Sequence, residues 1–340
     1  MSRWALALLL TLLALAAVQL VRALRAPRFA SFSGEAMATT WQVTLPERAE
    51  AGAAAEACFA LFRRLDFELS EWKEGSPLSA VNRAAGADPV AVPPELFSLV
   101  ARGVEIARAT DGAFDPSWAA LWGLWDFRDP AARVPAAAAI AERLALVDYR
   151  RVRLDPEAQS IHLPLAGMKL GLGGIAKGYA LGLAGELLAE RGFDDFLLVS
   201  GGQVYARGTR AGRPWRVGVR DPRGGRDEIF ATLPLAGGSL STSADNESFF
   251  VQDGVRYHHI LDPKTGRPAR GLRSATVLHS DPTLADALST ALMVLGKERG
   301  LAVAAQLGAE ALLVDAHGEL AMTPGLQAQL TLLHPPRRDD

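Results

Sequence analysis

The sequence predicts an α+β chain, and three observations carry that reading. Apolar residues recur at helical spacing in a few stretches, chiefly Ala51–Leu69, Pro93–Thr110 and Asp281–Gly296. Short alternating runs dominate after residue 200: Gln203–Arg207, Trp215–Arg220 and Ile229–Leu235. With 340 residues, 49% hydrophobic and 22% charged, the chain has material for one large core or two ordinary ones. A formal net charge of −2 supplies no basic field for nucleic acid, and that class of partner is excluded. Lysine is scarce, five against thirty-one arginines, so a lysine inside a motif is less readily explained as generic surface charge.

The first thirty residues stand apart. Arg3 precedes an apolar run from Trp4 to Val21, which fits a signal peptide or one membrane anchor. Ala14, Leu15 and Ala16 offer a small-x-small cleavage pattern, whereas Arg22, Arg25 and Arg28 form a basic flank that the positive-inside rule places in the cytoplasm. Export is expected, with cleavage and anchoring both open. The single cysteine, Cys58, lies too far from the run for lipidation, excludes an internal disulfide and reads as a buried, inert thiol.

From about Phe32, the segment Glu35–Trp41 leads into an alternating strand through Leu45. The helix over Ala51–Leu69 ends in a polar loop, Ser70–Pro77, where Trp72 either staples the loop or stacks on a planar ligand. The Pro93–Thr110 helix is started by prolines and stopped before Asp111 and Gly112, after which Gly112–Pro116 forms a tight loop bearing Asp115. Trp118, Trp122 and Trp125 follow at helical spacing, a core pattern, and Pro130–Leu146 reads as a peripheral helix.

At Met168–Leu187 an expected strand runs into Gly171, Leu172, Gly173 and Gly174, with a helix starting near Ile175. Backbone N–H groups at such a helix start suit a phosphate, and a glycine turn for close packing is the alternative. Gly171, Gly173 and Ala176 fit G-x-G-x-x-A, but Asp194 and Asp195 precede the next strand, against a dinucleotide fingerprint. Lys177 is followed by Gly178, which excludes a Walker loop.

The densest chemistry lies in Leu240–Ala269, where hydroxyls, carboxylates and the pair His258 and His259 alternate with apolar residues before the Lys264–Gly266 turn. In a strand, neighbours face opposite ways, so one histidine at most faces a given pocket. In the final predicted helix, Asp286 and Thr290 are four apart on one face, as a helix start or as oxygen ligands that suit Mg2+ rather than zinc.

In order, these pieces resemble the FAD:protein FMN transferase family, often called ApbE. The resemblance rests on Met37–Trp41, Trp72 with Ser76, Gly112–Pro116, Leu172–Ala180, Ser200–Gln203, Thr242–Glu247, His258–Gly266 and Ala285–Thr290. It implies one α+β domain over residues 31–340, with a mixed, largely antiparallel sheet flanked by helices, behind a signal peptide or anchor over 1–30. It also implies a Mg2+-dependent enzyme in the periplasm, or on the periplasm-facing inner membrane. Such an enzyme splits FAD, attaches FMN to a threonine of a flavin-accepting protein such as a redox-complex subunit, and releases AMP. Met37, Trp72, Ala113, Phe114, Asp115, Lys177 and Ile260 are then expected to line the FAD site, Gly174, Asp286, Ser289 and Thr290 to hold Mg2+, and His259 to be the catalytic residue near the reacting phosphate, as general base or as charge partner. The family's usual aspartates are Gly171 and Gly182 here, and its usual glycine and tyrosine are Ala244 and Asn246. Those departures leave two alternatives: a flavin-binding protein without transfer, and a membrane-tethered assembly factor for a redox complex.

Overall fold

The computed structural model describes residues 27–127, 129, 131–225 and 227–338. The Trp4–Val21 run lies outside them; among the described residues no helix is long and apolar enough to cross a membrane.

The centre is an eight-stranded sheet whose spatial order follows chain order: β1 (Phe29–Ala36), β2 (Thr39–Pro46), β3 (Phe196–Ser200), β4 (Gln203–Arg207), β5 (Gly237–Ala244), β6 (Leu272–His279), β7 (Glu310–Asp315) and β8 (Leu320–Met322). Every pairing within it is antiparallel, so the class is as expected and no parallel component contributes among the described residues. Side chains alternate across the pleat. Phe196, Leu198, Ala275, Val277, Ala311 and Leu313 face a helical layer, while Leu197, Leu240, Leu278, Leu312 and Val314 face a second apolar cluster. That second cluster is covered by a small antiparallel sheet of Trp215–Arg220, Ile229–Leu235 and Thr331–Leu332.

The helical layer contains α1 (Ala51–Glu68), α2 (Pro77–Arg83), α3 (Pro94–Ala109), α4 (Ala137–Leu144), α5 (Ala176–Glu190) and α6 (Pro282–Gln306). Asp281 caps α6 by accepting from the N–H groups of Thr283 and Leu284, 2.8 and 3.2 Å away. Gly296, at φ 74°, breaks α6 into two segments, a conformation glycine adopts at little cost. Cys58 of α1 is fully buried, and desolvation pushes its thiol up to about 12, which makes it inert as expected.

Several local expectations change. The strand expected through Leu45 is β2, while the lead into it is a hairpin whose tip is formed by Met37 and Ala38, at φ 49° and 56°, between β1 and β2. Two consecutive left-handed residues match the strand twist, although glycine or asparagine is usual there. Trp41 braces the tip, donating to the Ala36 carbonyl at 2.9 Å and stacking on Phe62 at 3.9 Å between centroids. The boundary at residue 31 falls inside β1. α2 was not foreseen; Ser76 caps it through the Ser79 N–H at 2.9 Å. Trp118 lies in a 3-10 helix, Pro116–Leu121, and only Trp125 of the three tryptophans is buried.

The strand expected before Gly171 is absent from Met168–Leu170. The extended backbone there is paired with a side chain instead. Asn82 of α2 accepts from the Leu170 N–H at 2.7 Å and donates to its carbonyl at 2.9 Å. That reciprocal pair satisfies buried backbone groups as a neighbouring strand would.

Candidate active site

Strand β5 lays a polar seam inside the helical layer. By the two-residue alternation of a strand, Ser239, Ser241 and Ser243 point the same way. Ser239 bonds the Gln203 amide at 3.0 Å, and Ser241 meets Ser289 at 3.3 Å. Ser243 meets Ser289 at 2.8 Å and Thr290 at 3.3 Å.

Asp286, one turn before Thr290 on α6, reaches the start of α5, where its Oδ2 accepts from the Gly178 N–H at 2.9 Å. The residue preceding α5, Ile175, supplies no side-chain cap, so Asp286 caps that helix from a neighbouring one. A side chain at Gly178 would stand 2.2 Å from the Pro282 carbonyl oxygen, so glycine is what permits this approach. Gly174 lies beside Thr290: a Cβ there would be 3.3 Å from the Thr290 hydroxyl and 3.4 Å from the Phe114 ring.

Asp286 and Thr290 thus share one face of α6, with the Gly174 backbone beside Thr290. Their oxygen donors, one a carboxylate, fit a small hard cation that keeps several waters. Among the described residues no three His, Cys, Asp or Glu side chains gather into a cage. Ser289, the other side chain expected there, has a buried hydroxyl that donates to the Asp286 carbonyl at 2.8 Å and engages Ser243.

The two histidines separate, His258 ending the strand Val255–His258 and His259 lying just beyond it. His258 is buried; its Nε2–H donates to the Ala269 carbonyl at 2.8 Å and its Nδ1 accepts from the Ile260 N–H at 3.4 Å. His259 keeps exposed surface, and its backbone N–H bonds the Ser248 carbonyl at 3.0 Å. Desolvation by the surrounding protein brings its pKa down to about 4, the charges of His258 and Lys177 adding to the fall while a Ser248 hydrogen bond opposes it. His259 is thus neutral at physiological pH. Lys177 extends back along α5, its Nζ donating to the Gly173 carbonyl at 3.1 Å. Nearby, Asp245 is held by both guanidinium nitrogens of Arg223 at 2.6 and 2.8 Å.

Ala113, Phe114 and Asp115 are buried under the glycine turn. Asp115 Oδ1 accepts from the N–H and hydroxyl of Ser117 at 2.8 and 2.6 Å, and Oδ2 accepts from the Tyr149 N–H at 3.0 Å. Its carboxylate is spent on shaping the loop, and desolvation raises its pKa above the usual aspartate value. Ile260 is buried in the main core, Met37 is half-buried at the hairpin tip, and Trp72 is 60% exposed, edge-on to Trp122.

Sequence reasoning missed Asn82, Ser243, Trp122 and Glu71. The alternating serines were the available signal for Ser243; nothing periodic marks Asn82. Glu71 is half-buried beside Trp72, and desolvation raises its carboxyl to about 6 against the pull of the Glu71 and Leu172 backbone N–H groups.

The family model described as the ApbE family matches residues 37–313. The FAD:protein FMN transferase of Treponema pallidum is 35% identical over 301 residues, covering 84% of this chain and 83% of that one. Its Vibrio cholerae counterpart is 31% identical over 280 residues, covering 80% and 83%. The crystal structure of the ApbE protein from Thermotoga maritima has a TM-score of 0.82 at 35% identity, covering 89% of this chain and 99% of that one. Matches of this extent, in sequence and in fold, show that the chain belongs to the ApbE family.

Proposed function

We propose that this protein is an FAD:protein FMN transferase that moves FMN from FAD to a threonine hydroxyl of an acceptor protein and releases AMP. The observation that carries this reading is the convergence, on one face, of the Asp286 carboxylate, the Thr290 hydroxyl and the Gly174 backbone, near a lysine and a neutral histidine. The names of the relatives, all FAD:protein FMN transferases, support the same class of enzyme.

In the reaction, the acceptor's threonine oxygen bonds to the phosphorus of the FMN half, the bridging P–O bond breaks, and AMP leaves with the bridging oxygen. His259 takes the threonine proton, a task that requires the neutral ring. Lys177, with its ammonium beside the glycine turn, offsets phosphate charge. Asp286, Thr290 and the Gly174 carbonyl would hold Mg2+, which would neutralise pyrophosphate charge and supply several kcal/mol, an order-of-magnitude figure. Ser289 keeps Asp286 in place from behind. Met37, Trp72 and the turn over Ala113, Phe114 and Asp115 shape the nucleotide site, with Ile260 packed beneath it. The Trp4–Val21 segment directs this chemistry to the periplasm, cleaved or as an inner-membrane anchor, where the acceptor is a redox-complex subunit.

The test is incubation with FAD, Mg2+ and a flavin-accepting domain, followed by mass spectrometry of the acceptor. A Mg2+-dependent mass increase equal to FMN less one water, with AMP released, is expected. FAD binding without transfer would leave a flavin-binding protein, and no flavin affinity an assembly factor.

A further inference from the structure

Glu71 lies on the loop that presents Trp72, and its carboxyl meets the backbone of Leu172 in the glycine turn. Among the described residues no cation pairs with it. Lys73 is turned to Asp66 at 2.9 Å, Arg83 to the Glu74 carbonyl, Lys169 to the Trp122 ring and Lys177 to the Gly173 carbonyl. A half-buried carboxyl without a counter-ion, at the rim of a ligand site, is costly unless something is bound there.

The turn itself cannot supply an acid. A side chain at Gly171 would stand 2.9 Å from the Ala119 Cβ and 3.0 Å from Trp118 Nε1, and that indole donates to the Gly171 carbonyl at 3.1 Å. The space on that side is filled, and Glu71, whose carboxyl meets the Leu172 backbone, brings an acidic group to the turn from a separate loop.

We propose that Glu71 is a nucleotide-binding residue that accepts a hydrogen bond from an N–H donor at the edge of the ring system stacked on Trp72. This rests on the flavin transferase reading and names the contact that orients its substrate. Both ends of FAD carry such a donor, the flavin imide and the adenine amine, and Glu71 suits either.

The test is the dissociation constant for FAD, followed by flavin fluorescence, in the wild type and in Glu71→Gln. The side-chain amide of that variant still accepts from the Leu172 N–H, which preserves the turn, but carries no charge. Losing a hydrogen bond to a charged acceptor predicts roughly tenfold weaker FAD binding at pH 7.5. Wild-type affinity falls between pH 7.5 and 5 as the carboxyl protonates near 6, and the variant lacks that dependence. Repeating the comparison with FMN and with AMP assigns the contact: a loss confined to FMN places it at the imide, and one confined to AMP at the amine. Equal affinity and an equal pH profile in Glu71→Gln would overturn the proposal. So would Glu71→Ala losing both affinity and melting temperature while Glu71→Gln keeps both, since Glu71 would then only hold the turn. Failure of the wild type to bind FAD is a different result, and it overturns the transferase reading together with this one.

Discussion

The two halves of the candidate site are built differently. The half proposed to hold the metal stands on regular elements: Asp286 and Thr290 on α6, the serines of β5 beside them, and the start of α5 capped from its neighbour. The nucleotide half is made of loops tied together by side chains: Asn82 to Leu170, Asp115 to Tyr149, Trp118 to Gly171. Groups fixed by a packed core are pre-set for transition-state work, whereas latched loops set how well a substrate is held. Changes in the first half are therefore expected to lower turnover, and changes in the second to weaken FAD binding.

The largest effect is expected at Asp286. Asp286→Asn retains an acceptor for the Gly178 N–H and folds as the wild type, yet lowers Mg2+-dependent transfer about 10³-fold through loss of the carboxylate. Asp286→Ala abolishes transfer too and adds about 1 kcal/mol of instability from the lost helix cap. Thermal melts and single-turnover assays of both variants check this. Wild-type transfer by Asp286→Asn would remove the metal assignment and the contrast with it.

Next in size is His259. His259→Ala is expected to lower kcat about 10²-fold or more with little change in FAD affinity, because a base acts in the chemical step. Desolvation holds this ring neutral down to about pH 4. An essential neutral base with that pKa predicts kcat, measured at saturating FAD, independent of pH from neutrality to about 5 and falling only as the ring protonates near 4. An acid limb at the ordinary histidine value would show that His259 is not the base. Linkage has the same sign: the unfolded chain gains this proton from about pH 6.5 downward. The site's contribution to stability is therefore lost between there and about pH 4.

On the nucleotide side, Asn82→Ala removes two hydrogen bonds from a backbone segment that has no strand partner. The expected cost is about 1–3 kcal/mol of stability, with KM for FAD raised more than kcat is lowered. A variant that lost kcat alone would erase the distinction between the halves.

This contrast also explains what the sequence could disclose. Strands Gln203–Arg207, Trp215–Arg220 and Ile229–Leu235 have the bounds that apolar alternation predicts, because a pleated strand with one packed face must alternate. That Asp286 and Thr290 share a face was legible because helical spacing fixes it, whereas their reading as metal ligands came from the family resemblance. The loops carry no such period. Asn82 acts by reaching across eighty-eight positions to mimic a strand, and Met168–Leu170 looked like a strand for the same reason that it needed one. Asp115 was legible as a carboxylate in a tight loop, but which groups it meets depends on Tyr149, thirty-four residues away. Ser289 shared the metal motif in sequence, and its hydroxyl, like that of Thr290, meets Ser243 of β5, a contact between elements that helical spacing alone does not disclose.

The smallest effect is expected at Ser243, and it separates packing from positioning within the better-ordered half. Its hydroxyl stands 2.8 Å from Ser289 and 3.3 Å from Thr290, so its removal frees the Thr290 side chain to rotate. Ser243→Ala is expected to cost about 1 kcal/mol of stability and to raise the Mg2+ concentration for half-maximal transfer a few-fold, with kcat recovered at saturating Mg2+. Supporting groups behind a metal ligand characteristically tune affinity rather than chemistry. Ser243→Thr, which restores the hydroxyl, should recover the Mg2+ response even where the extra methyl disturbs packing. If both variants lose stability equally and leave the Mg2+ response unchanged, the seam is packing alone, and the order of this half owes nothing to the metal it is proposed to hold.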